Sequence, residues 1–198
     1  MLTNLMRRLG RGIVYPIARF VGRTGLSPNA VTVIGFLFAV VVAAVLAQGQ
    51  VRLAGILLIP AAIVDAIDGA MARVLDRTTR FGAFLDSTLD RLSEAALFLG
   101  ALIYVSREGT STEIILVYVT IVGSLMVSYT RARAEGLGIS IKGGIFTRFE
   151  RIAVLIIALI LNQLTVALWV LAPLTSLTVI QRVWLVWQAT RENDTLQT

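Results

Sequence analysis

Five acidic residues lie within otherwise apolar stretches: Asp65 and Asp68, three positions apart, then Asp86, Asp90 and Glu94 at intervals of four. On a helix both spacings bring the carboxylates to one face. An Asp at the centre of a membrane helix costs about 2.5–3.5 kcal/mol on insertion scales, so a group of them implies chemistry. If the chain turns near Thr78, Asp68 and Asp65 lie about 15 and 20 Å along one helix. Asp86 and Asp90 then lie about 12 and 18 Å along the next, at roughly 1.5 Å per residue. The levels match within a helical turn, so four carboxylates face one another in low dielectric, and a bound divalent cation is the readiest neutraliser. All-oxygen ligation suits Mg2+ or Mn2+ rather than a soft metal. Two other readings stand beside this one. The acids could form separate ion pairs, Asp65 or Asp90 with Arg73 or Arg91, or a transporter's cation site. The small residues Gly69 and Ala72 among the acids favour a ligand site over ion pairs. The absence of an internal repeat and the clustering toward one side weigh against transport, which predicts metal flux into proteoliposomes without any other substrate.

The composition narrows the chemistry further. Of 198 residues, 57% are hydrophobic and 15% charged, with 18 Lys+Arg against 12 Asp+Glu and neither Cys nor His. Thiol chemistry, thiolate zinc and an imidazole base are therefore excluded. The net charge of +6 on so apolar a chain points to anionic lipid and away from nucleic acid.

About six stretches approach the roughly 20 apolar residues a membrane helix needs: Ala30 to Ala47, Leu53 to Leu75, Ala83 to Val105, Glu113 to Arg133, Arg151 to Leu168 and Leu171 to Gln188. The connectors are short, leaving no room for a second, soluble domain, so residues 1–198 read as one all-α integral membrane domain. Cytoplasmic loops accumulate Lys and Arg. Arg7, Arg8, Arg11, Arg19 and Arg23 precede the first stretch; Arg73, Arg77 and Arg80 separate the second and third; Arg131, Arg133, Lys142, Arg148 and Arg151 separate the fourth and fifth. The opposite loops hold only Arg52 and Arg107. This asymmetry predicts a multi-pass cell-membrane protein with both termini and the acid-rich ends cytoplasmic. Within residues 1–27, Leu2, Leu5, Met6, Leu9, Ile13, Ile17, Phe20 and Val21 recur at helical spacing among arginines, which predicts an amphipathic helix on the membrane surface. A plain positive-inside anchor is the alternative there.

The acids belong to a longer pattern: Asp65-x-x-Asp68-Gly69-x-x-Ala72-Arg73, eight residues, then Gly82-x-x-x-Asp86-x-x-x-Asp90. It resembles the full signature of the CDP-alcohol phosphotransferases, membrane enzymes that transfer a phosphatidyl or similar group from a CDP-activated alcohol to a second alcohol and release CMP. The resemblance implies six transmembrane helices, a polar cavity open to the cytoplasm, a homodimer and two Mg2+ ions, with Mn2+ as the other candidate. It implies Asp65, Asp68 and Asp86 as metal ligands, and Asp90 as the base for the attacking hydroxyl that also touches the second metal. Gly69, Ala72, Arg73 and Gly82 would receive the CDP-lipid, and by the same analogy Thr79 and the Pro28-Asn29-Ala30-Val31 turn would line the nucleotide pocket. A loop hydroxyl and a helix start are the plainer readings of those last two features.

The acceptor must be read outside this pattern. Ser128-Tyr129-Thr130-Arg131-Ala132-Arg133-Ala134-Glu135, Arg148-Phe149-Glu150-Arg151 and Gln181-Arg182 resemble segments of the prokaryotic phosphatidylinositol phosphate synthases and of their archaetidylinositol phosphate relatives. That resemblance implies CDP-diacylglycerol as donor and inositol phosphate as acceptor, with Arg131, Arg148, Arg151 and Arg182 as phosphate and ring contacts. Thr147 departs from the pattern, standing where Glu is expected. The alternative within the family is a phosphatidylglycerophosphate synthase using glycerol 3-phosphate, although the Pro common there after the third Asp is replaced by Ser87.

Overall fold

The structure, a computed structural model, describes residues 15–195 apart from Thr24, Arg77 and Lys142. Arg7, Arg8, Arg11, Arg77, Lys142 and the first part of the expected amphipathic helix therefore lie outside the described residues. Among the described residues every regular element is a helix. The chain divides into two compact units, Met1–Gly100 and Ala101–Thr198.

In the first unit, residues 15–23 form helix α1. Its small side chains face inward: Ala18 is fully buried with Val31, Ile67, Ala70 and Met71, and Val21 and Leu75 pack alongside. Ile17 and Phe20 remain exposed. Helix α2 (Pro28–Ala47) starts where the Ser27 hydroxyl accepts the Ala30 N–H at 3.1 Å, with proline in the first turn, where its missing N–H costs nothing. It ends at Gly49, whose φ of +81° supplies the left-handed residue that lets Gln50 bond back to the Val45 carbonyl. Helix α3 (Val51–Val74) returns and packs along α2. Thr79 caps helix α4 (Arg80–Glu108), its hydroxyl accepting the Gly82 N–H at 2.9 Å. Gly100 on α4 meets the backbone of Ala43, so any Cβ there would strike the Ala43 carbonyl.

The second unit holds helices α5 (Ser111–Glu135), α6 (Arg148–Ile160) and α7 (Leu164–Thr195), with α7 packed against both others. Each of the first two opens on a reciprocal cap. Glu113 accepts the Thr110 N–H at 2.7 Å and also takes the Thr165 hydroxyl, tying the starts of α5 and α7 together. Glu150 accepts the N–H of Thr147 at 2.9 Å and its hydroxyl. The departure at Thr147 thus has a local structural role. Gly123 lets α5 approach α7 closely, since a Cβ there would fall 2.8 Å from the Cβ of Thr175. Thr120, Thr175 and Thr178 are completely buried, their hydroxyls turned onto carbonyls of their own helices.

Among the described residues four helices are long and apolar enough to cross a membrane: α2, α3, α5 and Leu164–Arg191 of α7. Helix α4 has ample length at 29 residues but carries Asp86, Asp90, Arg91 and Glu94 in its first half. The stretch Arg151 to Leu168, read from sequence as one span, is not one helix. Helix α6 stops after 13 residues, about 20 Å against the roughly 30 Å of a hydrocarbon core. Asn162 then adopts φ +57°, while Asn162 and Gln163 bond back to Leu159 and Ala158. This is a helix-ending arrangement that asparagine tolerates. The sixth stretch accordingly begins at Leu164, before the expected Leu171.

Gly123→Ala should lower stability by about 1–3 kcal/mol through overpacking against Thr175, read as a reduced Tm in detergent. Gly136→Ala, whose Cβ would come no nearer than 3.4 Å to its surroundings, should leave Tm unchanged.

Candidate functional site

An open cleft in the first unit is formed where the start of α2, the end of α3 and the start of α4 meet. Pro28, Asn29 and Thr32 line it from α2; Asp68, Gly69, Ala72 and Arg73 from α3; Thr78, Thr79, Gly82, Ala83 and Asp86 from α4 and its cap. Helical period explains the selection, because each set recurs at three- and four-residue steps on one face. The N-terminal ends of α2 and α4 both reach the cleft, and their partial positive charge favours an anion there.

Asp68 is the most enclosed of the cleft's acids, at 4% exposure. Its Oδ1 accepts the Gly69 N–H at 2.5 Å. The Thr32 hydroxyl lies within hydrogen-bonding reach of this carboxylate and also donates to the Pro28 carbonyl at 3.1 Å. Asp86 and Asp65 are near enough to act on Asp68 electrostatically. Asp65 and Asp90 are half-buried, one turn from Asp68 and Asp86 respectively, and do not line the cleft. Among the described residues no three acids are drawn tightly enough together to ligate one ion. The donor set still fits a hard divalent cation: carboxylate oxygens, two of them in one cleft and a third close by, with no soft ligand available.

Of the residues expected around the nucleotide, Pro28, Asn29, Gly69, Ala72, Arg73, Thr79 and Gly82 do line the cleft, whereas Ala30 and Val31 do not. The reason is that helix α2 already begins at Pro28, so the face carrying Pro28 and Asn29 continues at Thr32. Val31 instead enters the core beside Ala18 and Met71, and the Ala30 N–H is occupied by Ser27. The sequence does not single out Thr32 or Ala83, and it places Thr78 only at the turn between the two acid-bearing helices. Thr32 was legible as the position four after Pro28 once a helix rather than a turn was assumed there.

The glycines of the cleft differ in what surrounds them. A Cβ on Gly82 would lie 2.9 Å from Thr79 Oγ1 and 3.0 Å from Asn29 Oδ1, so the cap itself requires glycine. On Gly69 it would meet nothing nearer than the Arg73 guanidinium at 3.5 Å, an ordinary contact.

The second unit brings three of the four expected arginines together. Arg131, Arg151 and the acid Glu135 are close enough to act electrostatically on Arg182. Arg151 is 1% exposed and donates to the Phe146 carbonyl, while Arg131 pairs with Glu135 at 2.9 Å on the surface. Arg182 is only 5% exposed and donates to the Val127 carbonyl of α5, so it is enclosed by protein and does not snorkel along the helix. Arg148 is half-buried at the first residue of α6, one turn before Arg151. Clustered guanidiniums repel one another, and an oxyanion placed among them relieves that repulsion.

Residues 25–188 match the family model described as CDP-alcohol phosphatidyltransferase. The archaetidylinositol phosphate synthase of Pyrococcus horikoshii is 37% identical, over 91% of this chain and 95% of its own. The phosphatidylinositol phosphate synthase of Streptomyces avermitilis is 34% identical, over 98% of this chain and 86% of its own. Among solved structures, the phosphatidylinositol phosphate synthase of Mycobacterium tuberculosis is similar at a TM-score of 0.82 and 33% identity in two crystal structures. One contains manganese and citrate, covering 88% of this chain and 89% of that one. The other has CDP-DAG bound, covering 88% and 94%.

Gly82→Ala should displace the Thr79 cap and lower stability by about 1 kcal/mol. Gly69→Ala should not, since alanine favours the helix and fits the space. Thermal unfolding of the two purified variants side by side checks the contrast.

Proposed function

The chain belongs to the CDP-alcohol phosphatidyltransferase family, and from that premise we propose that it transfers a phosphatidyl group from CDP-diacylglycerol to inositol phosphate, forming phosphatidylinositol phosphate and CMP. The observation that carries the choice of acceptor is the convergence of Arg131 and Arg151 on Arg182, a cation buried in an apolar helix. A phosphate monoester suits that charge, whereas an uncharged alcohol does not. The names of the relatives support the same acceptor.

In this reading the nucleotide and diphosphate of the donor occupy the cleft. Gly69 and Ala72 admit the nucleotide to the backbone of α3, and Arg73 and the N-terminal ends of α2 and α4 take the phosphates. Asp65, Asp68, Asp86 and Asp90 would hold divalent metal, for which we favour two Mg2+ ions over Mn2+. Such ions neutralise charge on the transferring and departing phosphates when bound; the manganese in the M. tuberculosis enzyme supports a divalent metal of this kind. Asp90, one turn beyond Asp86 on α4, accepts the proton of the attacking hydroxyl. The hydroxyl oxygen bonds to the phosphatidyl phosphorus, and the bond from that phosphorus to the oxygen of CMP breaks. Arg131, Arg148, Arg151 and Arg182 bind the acceptor's phosphate and orient its ring. The cation distribution supports six crossings, with both termini and the site on the cytoplasmic side of the cell membrane; α4 has the length for one beyond the four long apolar helices, and α6, at about 20 Å, would cross only where the bilayer thins around it. We further read the chain as a homodimer, with the start of the protein as a surface-lying amphipathic helix.

Purified protein given CDP-diacylglycerol and radiolabelled inositol phosphate should yield a lipid-soluble product and CMP only with divalent metal present. Turnover with glycerol 3-phosphate in its place would move the protein to the phosphatidylglycerophosphate synthases. Asp90→Asn should cut kcat by about 10²–10⁴ with CDP-lipid binding retained; loss of that binding would make Asp90 chiefly a metal ligand. Arg131→Gln or Arg182→Gln should raise KM for the acceptor more than for the donor, and an equal rise for both would count against the arginine site.

A further inference from the structure

At one end of the second unit three elements share a level. The turn of residues 161–163 joins the end of α6 directly to the start of α7, and Glu113 at the start of α5 takes the Thr165 hydroxyl. From there α5 and α7 run side by side, with Gly123 against Thr175 and the Val127 carbonyl against Arg182. At the other end the levels part. Helix α6 begins at Arg148, just after the Ile145 N–H donates to Gln181 Oε1 at 2.9 Å, so its start stands beside Gln181. Helix α7 carries an apolar outer face well past that point, through Val183, Trp184 and Trp187, all exposed. The two indoles lie 4.9 Å apart, and the Arg191 guanidinium sits 4.7 Å over Trp187. Tryptophans beside a cation mark a membrane–water interface. Trp184 and Trp187 lie about 29 and 33 Å along α7 from Thr165, the depth of a full hydrocarbon core. Over α6 the two polar ends are only about 20 Å apart.

The first turn of α6 carries Arg148 and Glu150, the latter holding the Thr147 N–H at 2.9 Å. Neither charge is at home in hydrocarbon. The outer face of the same helix, opposite buried Arg151, Leu155 and Leu159, presents Phe149 and Ile157, both exposed. An apolar face bounded by charge suits lipid, but this one is too short for a flat bilayer. We propose that the leaflet on this side is drawn down along α6, so that phospholipid headgroups meet the helix at Phe149, about 9 Å below the level at which Trp187 holds them on α7. This rests on the reading of α6 as a crossing and deepens it by placing the whole shortfall in one leaflet, since the opposite ends are level. The step also bears on Arg182. With a flat leaflet at Trp187 it would lie about 8 Å inside the hydrocarbon, whereas beside the lowered one it stands at the level of the water interface.

The chain contains no cysteine, so single cysteines report on the leaflet without further changes. Phe149→Cys and Val183→Cys both replace exposed apolar residues, and Val183 lies beyond Gln181, nearer the Trp187 end than the start of α6 is. A flat leaflet therefore covers Phe149 at least as deeply as Val183, and a lowered one reverses the order. Inverted membrane vesicles from cells making the whole protein are treated with a membrane-impermeant maleimide, which reacts with thiolate, a form that apolar surroundings suppress. Phe149→Cys should react at least about tenfold faster than Val183→Cys, and Leu161→Cys should react only in right-side-out vesicles. Similar rates, a faster Val183→Cys, or protection of both would overturn the proposal, the last by leaving the start of α6 in hydrocarbon or beneath a second copy of the chain. If Phe149→Cys and Leu161→Cys reacted from the same face, α6 would not cross at all and the step would fall with the crossing, a result distinct from a flat leaflet around a crossing helix.

Discussion

A charge within an apolar helix must be answered by something in reach, because the alternative is a desolvated ion. Two residues bring this constraint to its sharpest form. Asp68 on α3 is 4% exposed and Arg182 on α7 is 5% exposed. The protein answers each only in part. Asp68 receives the Gly69 N–H and has the Thr32 hydroxyl in reach, yet Asp86 and Asp65 add their negative charge to its own. Arg182 reaches the Val127 carbonyl but keeps Nε unmatched and has Arg131 and Arg151 nearby. In each unit, charges of the same sign lie near a buried one, tempered at Arg182 by Glu135, which also pairs with Arg131. That arrangement stores unfavourable electrostatics that a ligand of opposite charge relieves, cations at the aspartates and an oxyanion at the arginines.

Holding such groups in place requires helices that meet closely, and the glycines divide by this duty. Gly100 and Gly123 face a neighbouring helix with no space to spare, against Ala43 and Thr175. In apolar surroundings, where burial of hydrocarbon offers little drive for helix association, such close backbone approach supplies the packing. Gly69 and Gly144 are different. Neither position is left-handed, and the side chains nearest to them are the guanidiniums of Arg73 and Arg182. A Cβ on Gly69 would make only an ordinary contact with its guanidinium, whereas one on Gly144 would crowd Nη2 and Nε of Arg182, so glycine at the second site lets the connector pack closely on a buried charge.

The all-helical class, the spacing that puts Asp68 with Asp86 in one cleft, and the oddity of an arginine inside the last apolar stretch were all legible in the sequence, because helical period is a local property that a chain carries wherever it folds. Side-chain capping was also local: Ser27 before Pro28 and Thr79 before Gly82 mark their helix starts by residue type alone. What period leaves open is phase, the face that turns inward, and which distant segment it meets. Packing of α1 against α2 and α3 sends Val31 to the core and leaves Thr32 to the cleft. The left-handed Asn162 ends α6 inside what reads as one apolar run, since hydropathy is blind to a single residue's φ. The gathering of Arg131 and Arg151 about Arg182, with Gly144 packed against its guanidinium, joins positions dozens of residues apart. No local rule connects them, because only the tertiary contacts among α5, α6, α7 and their connectors decide which charges share one neighbourhood.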